Sequence, residues 1–305
     1  MPINCGSLLD EFTFWGLLLS SLHLALARYA AEDRIAGDMI KRFVRILKDH
    51  EIIYNLVIKE LKVRYRGSYL GFLYALLNPL VSTVVFAVVF TFIIRIKMQH
   101  YGLYLLTGFM PWIFFQQSLS ESATSIIRNA NLIKKVMIPR EIFPISSILA
   151  CLVNFFLGSC VMLPFLAAYG HFSVRWAYLP LVMLVHLVFT LGLGLFLSSA
   201  NVMFRDIGNL VEIVIFVWFY ANPIIYPLQM LQTKLQEIGR PELLTLYLAN
   251  PMASIMVLYR HALFAPVSPD VLGTAAFIAI VWAVIALLVG QFVFSRLQKT
   301  FAKEL

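Results

Sequence analysis

Charged side chains are scarce in this sequence. They make up 13% of its 305 residues, whereas soluble domains carry roughly a quarter. Hydrophobic residues reach 61% and the mean hydropathy is +0.84, a composition typical of an integral membrane protein. The net charge of +8 does not indicate a nucleic-acid partner, because the basic residues flank apolar runs instead of gathering on one soluble face.

Motifs of catalysis and of nucleotide binding are also missing. The sequence contains no G-x-x-x-x-G-K-[ST] phosphate loop, no H-E-x-x-H and no G-x-S-x-G. Of its three cysteines, Cys5 stands alone, and Cys151 and Cys160 lie on opposite faces of one predicted helix. We therefore predict no catalytic residue, no disulfide, no metal site and no cofactor bound by this chain.

Ionisable residues inside the apolar runs are few. They are His186 and, nearer the ends of the runs, Glu121 and Glu212. Transporters driven by protons or sodium usually carry groups near the bilayer midplane that change charge, and a single histidine among apolar residues is typical of packing. We therefore expect the driving force to come from another polypeptide.

Six apolar runs are long enough to cross a membrane, which takes about 20 residues of helix. They cover residues 69–94, 104–124, 145–169, 177–200, 209–228 and 271–294. If the N-terminus is cytoplasmic, the inner loops hold eighteen Lys and Arg and the outer loops hold six. The positive-inside rule thus predicts cytoplasmic N- and C-termini in a multi-pass protein of the inner (plasma) membrane.

The region before the first span has two parts. Residues 1–38 contain a short apolar segment, Phe12–Ala27, which is compatible with an interfacial helix, a short extra span or a stretch upstream of a natural start at Met39. Residues 39–66 show apolar spacing of three and four among lysines and arginines, which predicts amphipathic interface helices. Such helices anchor a protein on lipid or contact a partner.

A basic and aromatic tract, "LKVRYRGSYLGFLYALLNPL" (Leu61–Leu80), leads into the first span. Arginine side chains at this level can reach lipid phosphates, and tyrosine suits the membrane interface. We predict that Arg64, Tyr65 and Arg66 contact lipid headgroups at the site where substrate enters.

The segment between the fifth and sixth spans, residues 229–270, is less regular. Pro223 and Pro227 each remove a backbone donor, so a regular helix is not expected to continue through them; Pro251 follows in "LANPMASIMVLYRHALF". Two apolar-periodic pieces around these breaks predict short helices that dip into the outer leaflet and return. A soluble outer cap is the alternative, and the apolar content argues against it.

Four stretches of the sequence resemble motifs of a known protein family. They are "LKVRYRGSYLGFLYALLNPL" (61–80), "NLIKKVMIPREIFP" (131–144), "ANPIIYPLQML" (221–231) and "LANPMASIMVLYRHALF" (248–264). Together and in this order they resemble the permease subunit of ABC-2 type polysaccharide exporters, the family that moves O-antigen, capsule or teichoic-acid chains.

The resemblance implies an all-α integral membrane protein with six transmembrane helices, an N-terminal amphipathic interface helix and re-entrant outer helices between spans 5 and 6. Residues 67–305 would form the ABC-2 transmembrane domain. The chain would work as a homodimer with two copies of a cytoplasmic ATPase, which binds the ATP and Mg²⁺.

The resemblance also makes the loop 128–144 the coupling element that docks on the ATPase. Prolines at both ends stiffen it, and it combines basic and apolar residues outside the spans. If the basic residues served only to orient the protein in the membrane, the charges would be explained but the apolar residues would not. The predicted docking residues are Leu132, Ile133, Lys134, Lys135, Val136, Ile138, Pro139, Arg140 and Glu141.

Aromatic side chains suggest a route for a sugar polymer, because their rings can pack on the apolar faces of sugars without holding the chain in one place. The predicted path residues are Phe86, Phe90, Trp218, Phe219 and Tyr220. The expected function is export of a lipid-linked polysaccharide to the outer side of the plasma membrane. The alternatives are an exporter of small hydrophobic or drug-like molecules and a membrane-bound glycan-processing enzyme.

Overall fold

The computed structural model describes residues 50–65, 77, 80–81, 83–86, 88–89, 98–135 and 138–301. The predicted extension 1–38 lies outside the described residues, and so do Arg66, Phe90 and Val136. The described positions between 77 and 89 are helical. The other helices are α1 (His50–Tyr65), α2 (Tyr101–Arg128), α3 (Ala130–Lys135), α4 (Ile142–Ala168), α5 (Leu179–Met203), α6 (Ile207–Tyr220), α7 (Leu228–Glu237), α8 (Leu243–Leu248), α9 (Pro251–Leu263) and α10 (Pro269–Leu297), with a 3-10 helix at Val174–Tyr178.

The architecture is all-helical, as predicted, and the described part of the chain contains no strand. Three of its helical stretches are long and apolar enough to cross a membrane: Ile142–Ala168, Val174–Met203 and Pro269–Leu297. Helix α2, with 28 residues, also exceeds the roughly 20 residues that a bilayer core requires. The predicted third, fourth and sixth spans thus correspond to helices α4, α5 and α10.

The predicted fifth span differs from the helix that the structure has there. Helix α6 contains 14 residues and ends at Tyr220, whereas the apolar run suggested a helix as far as residue 228. Pro223 and Pro227 explain the difference, because neither can donate a backbone hydrogen bond to the preceding turn. At 1.5 Å per residue, α6 is about 21 Å long, shorter than the hydrocarbon core of a bilayer.

Helices α5 and α10 approach each other closely. The buried residues of α10 include Ala275, Ala279, Ala283, Ala286 and Gly290, which recur every three or four positions and so lie along one face. A Cβ atom at position 290 would lie 2.0 Å from the carbonyl oxygen of Gly192 in α5. Small side chains therefore let the two backbones touch, as is common between membrane helices.

Helix α1 is a single helix in the described region, and its buried residues are Leu56 and Val57. Leu56 packs with Ile142 and Phe143 at the start of α4. This contact places α1 beside the loop that joins α2 to α4, so the predicted interface helix and the predicted coupling loop are neighbours.

Candidate coupling and transport sites

The loop between α2 and α4 is built around the short helix α3. Its apolar residues Leu132, Ile133 and Ile138 are half-buried and pack against the cluster of Leu56, Ile142 and Phe143. The sequence predicts that these apolar residues contact the ATPase. In the structure they hold the loop against α1 and α4 of the same chain.

Two of the charged loop residues are also engaged within the chain. The Arg140 guanidinium donates a hydrogen bond to the carbonyl oxygen of Gln298 and lies 5.8 Å from the ring centroid of Phe301. Glu141 is 4% exposed. The side chains of Lys134 and Lys135 are exposed. The exposed charge of the predicted docking segment is therefore carried by the two lysines, and Pro139 is half-buried.

A network of ion pairs connects α1 to the end of α2. Glu121 pairs with Arg64 at 3.0 Å and also with Arg128, and Arg128 pairs with Glu60 at 2.8 Å. Lys59 lies 3.6 Å from Glu60 and donates to the side chain of Asn129. We call these six residues the charge network; it joins the interface helix to the residues immediately before the loop.

The predicted headgroup residues lie at this network. Arg64 contacts Glu121 and, at 3.5 Å, the Cys151 sulfur, and the Tyr65 hydroxyl donates to Asn154 Oδ1 at 2.7 Å. Burial is the main cause that raises the pKa of Tyr65 above its ordinary value, so the hydroxyl stays a donor at neutral pH. Arg64 thus contacts both α2 and α4, and Tyr65 contacts α4.

Sequence reasoning did not group Glu60, Glu121 and Arg128. One signal was available, since Glu121 and Arg128 are seven residues apart and so lie on one face of a helix, two turns from each other. Their pairing with α1 could not be read from spacing, because Glu60 and Arg128 are 68 positions apart in the sequence.

The structure brings two of the predicted path residues together. Phe86 lies 5.3 Å from Phe109 and 6.4 Å from Phe219, measured between ring centroids. Phe219 also packs on Phe109 and Trp112, each at 5.7 Å. We call Phe86, Phe109, Trp112 and Phe219 the aromatic cluster; Phe109 and Trp112, from α2, were not predicted.

The other described path residues, Trp218 and Tyr220, are not members of this cluster. Trp218 packs edge-on against Phe115 at 5.4 Å, and its indole nitrogen donates to Asn250 Oδ1 at 2.9 Å. Tyr220 is 55% exposed and contacts the rings of Phe216 and Phe219. Trp218 is thus a packing and hydrogen-bonding residue, whereas Tyr220 presents its ring to the surroundings.

His186, the histidine predicted to pack, is fully buried in α5. Its ring lies 5.0 Å from Phe114 and 5.9 Å from Phe115, and its Nδ1 is 3.3 Å from the Tyr259 hydroxyl. These contacts hold α2, α5 and α9 together around the ring.

The backbone that follows α6 is irregular and buried. Between Ala221 and Pro227 the chain forms no helix, and residues 222–225 are buried. Three carbonyl oxygens there accept side-chain hydrogen bonds: Ile224 from Arg260 at 2.7 Å, Ile225 from Tyr101 at 2.7 Å, and Tyr226 from Tyr104 at 3.0 Å. Side chains from α2 and α9 thus satisfy carbonyl oxygens of a segment that forms no helix, which is how buried irregular backbone is tolerated.

Asn250 connects this irregular segment to α9. Its Oδ1 accepts from the backbone N–H of Met252 at 3.1 Å, capping the helix that begins at Pro251, and accepts from Trp218 at 2.9 Å. Its amide nitrogen donates to Asn222 Oδ1 at 3.0 Å. One side chain therefore fixes the start of α9, the end of α6 and the turn between them.

We expect the substitution Asn250→Ala to lower the free energy of unfolding by roughly 2–4 kcal/mol, since it removes a helix cap and leaves Trp218 and Asn222 without this partner. Thermal unfolding of the purified chain in detergent measures the effect. Asn209→Ala, at an exposed position in the first turn of α6, is the control and should change stability by less than about 0.5 kcal/mol. Equal effects of the two substitutions would contradict the role given to Asn250.

Comparison with known proteins identifies the family of the chain. The ABC-2 type transporter family matches residues 52–264, so the chain belongs to that family. It is a multi-pass membrane protein and a transport component, not an enzyme. It is 34% identical over 266 residues to the O-antigen export system permease protein RfbA of Myxococcus xanthus, covering 87% of this chain and 99% of that protein. A protein of the same name from Klebsiella pneumoniae is 30% identical over 258 residues, with 84% and 95% covered.

Proposed function

We propose that this chain is the membrane permease of an ATP-driven exporter that moves a lipid-linked polysaccharide of the O-antigen type from the cytoplasmic to the outer side of the inner membrane. The permeases to which it is similar over most of its length support this substrate class. Six spans, with both termini in the cytoplasm, follow from the apolar runs and from the distribution of Lys and Arg. The interface helix and the re-entrant outer helices belong to the same proposal.

The single observation that carries the proposal is the construction of the loop 128–144. Its apolar residues are fastened to α1 and α4, Arg140 is bonded to the C-terminal end of α10, and two lysines remain exposed. A segment held from several sides transmits a displacement better than a mobile one. Two copies of a separate ATPase, which bind ATP and Mg²⁺, would dock on this surface of a homodimer and drive the transport cycle.

The route of the polymer is proposed from the aromatic residues. Sugars offer apolar C–H faces that pack on rings, and a surface without fixed charge lets successive sugar units slide past. The exposed ring of Tyr220, next to the aromatic cluster at Phe219, offers such a surface. Arg64 and Tyr65, at the interface end of α1, are proposed to lie near the site where the lipid anchor enters.

The docking proposal predicts that Lys134→Glu/Lys135→Glu reduces export at least about tenfold, because the exposed charge that meets the ATPase changes sign. The measurements are surface polysaccharide in a deletion strain that expresses the variant, and co-purification of the ATPase. Lys234→Glu/Arg240→Glu, a matched double reversal at exposed residues of the outer segment, should leave both unchanged. Normal export with an intact ATPase complex would contradict docking at the lysines.

The same strain distinguishes the alternatives. Deletion should cause labelled lipid-linked polysaccharide to accumulate inside the cell, and re-expression of the chain should restore it to the surface. If no polymer accumulates and a small hydrophobic compound is retained instead, the substrate class is wrong. Alteration of a lipid-linked sugar by the purified chain without any ATPase would make the protein a glycan-processing enzyme.

A further inference from the structure

Arg260, in α9, is an isolated buried cation. Its side chain is 6% exposed, and within the described residues no ion pair involves it. Its Nη2 donates to the Ile224 carbonyl at 2.7 Å, and its guanidinium carbon lies 3.4 Å from the ring centroid of Tyr104. Its Nε and Nη1 have no hydrogen-bond partner in the described part of the chain. A buried charge with unused donors is costly unless a further group binds it.

Arg260 also lines a cavity. Its volume is about 30 Å³, and its wall includes Met98, Pro223, Val257, Phe264 and Val267 besides Arg260 and Tyr104. The exposed Gln229 also lines it, so the cavity reaches the surface of the described chain. The enclosed space has room for about one oxygen-sized group, while the rest of a ligand would lie at the mouth among apolar side chains.

The fold makes room for the guanidinium at a particular place. A Cβ atom at position 108 of α2 would lie 2.7 Å from Arg260 Nη2, so the absence of a side chain at Gly108 lets the arginine reach the irregular backbone after α6. The position of the charge is therefore set by three elements, α2, α9 and the turn at Ile224.

From this geometry we infer that the cavity at Arg260 binds a phosphoryl oxygen of a phosphate-bearing lipid. A guanidinium is well suited to phosphate, to which it gives short, charge-assisted hydrogen bonds. One oxygen fits the enclosed volume, whereas a sugar ring does not. The apolar wall suits the hydrocarbon next to a lipid phosphate. Two lipids share this chemistry, an ordinary phospholipid and the lipid anchor of the polysaccharide; the second source rests on the proposed function.

The test is retention of lipids by the purified full-length chain, counted by native mass spectrometry. The probes are phosphatidylglycerol, a polyprenyl diphosphate, and a diacylglycerol with the same acyl chains as the phosphatidylglycerol but no phosphate. We expect a phosphate-bearing probe to be retained at least about tenfold more strongly than diacylglycerol. Retention of phosphatidylglycerol identifies a phospholipid headgroup, and retention of the diphosphate alone identifies the anchor of the cargo.

Variants locate the site. Arg260→Gln and Gly108→Ala should abolish the preference for phosphate, the first by removing the charge and the second by displacing it while favouring the helix. Arg240→Gln, at an exposed arginine of the outer segment, should keep the preference. If diacylglycerol is retained equally by the wild-type chain, or if both Arg260→Gln and Gly108→Ala keep the preference, Arg260 is merely hydrated and the inference is wrong. This assay needs neither ATP nor transport. The lipid inference can therefore be wrong while the proposed export function is right, and the export function can be wrong while the lipid inference is right.

Discussion

Gly290→Ala is expected to destabilise the chain by at least about 3 kcal/mol, at the upper end of the range for an overpacked core. The added methyl carbon would lie 2.0 Å from the Gly192 carbonyl oxygen and 2.8 Å from its carbonyl carbon. Both are backbone atoms, so no side chain can rotate away and α5 and α10 must separate. Separation would also break the contacts along the alanines of α10. Thermal unfolding in detergent and abundance in the membrane measure the effect.

Helix α10 supplies its own control for this prediction. Gly273 lies in the same helix with no atom within 4 Å of a Cβ built there. Gly273→Ala should therefore be neutral or stabilising by up to about 1 kcal/mol, because alanine favours a helix more than glycine does. If the Gly290→Ala and Gly273→Ala variants have equal free energies of unfolding, the backbones of α5 and α10 do not touch at Gly290.

The second large effect is expected at the charge network. Arg128→Glu places a carboxylate beside Glu60 and Glu121, whose side chains are 11% and 30% exposed. Two attractions become two repulsions in a partly buried setting, which should cost roughly 3–5 kcal/mol and abolish export. Arg128→Gln removes the attractions without adding repulsion, and we expect it to cost about 1–2 kcal/mol.

A double-mutant cycle separates the network from a general effect of charge. Adding Glu60→Arg to Arg128→Glu restores an opposite-charge pair between α1 and α2 and should recover part of the stability, so the two changes should not be additive. Arg205→Glu, at an exposed arginine before α6, is the matched reversal and should change little. Additive effects of Glu60→Arg and Arg128→Glu would show that the two residues do not interact.

The long spans could be predicted from the sequence because their apolar runs are uninterrupted. The run predicted at 145–169 became Ile142–Ala168, and that at 271–294 became Pro269–Leu297; proline at position 269 marks the start of the latter helix, as it often does. Within the run at 209–228, hydropathy does not register a missing backbone donor. The prolines alone indicated that α6 would end early.

The sites were predicted less completely. Residue types at 128–144 suggested a surface segment, but only the fold shows that Leu132, Ile133 and Ile138 are used internally while the lysines stay exposed. Pairing between α1 and α2, and between Arg260 and Ile224, joins residues far apart in sequence. Such contacts depend on which helices become neighbours, and no local periodicity encodes that.

Helix α2 gives the fold a mechanical property. At one end Tyr101 and Tyr104 donate to carbonyls of the irregular segment after α6, and at the other Glu121 and Arg128 pair with α1. Its 28 residues span about 42 Å at 1.5 Å per residue. Although Pro111 removes one backbone hydrogen bond inside α2, an axial shift of this helix must strain hydrogen bonds at both of its ends together, so a displacement of one end is transmitted to the other.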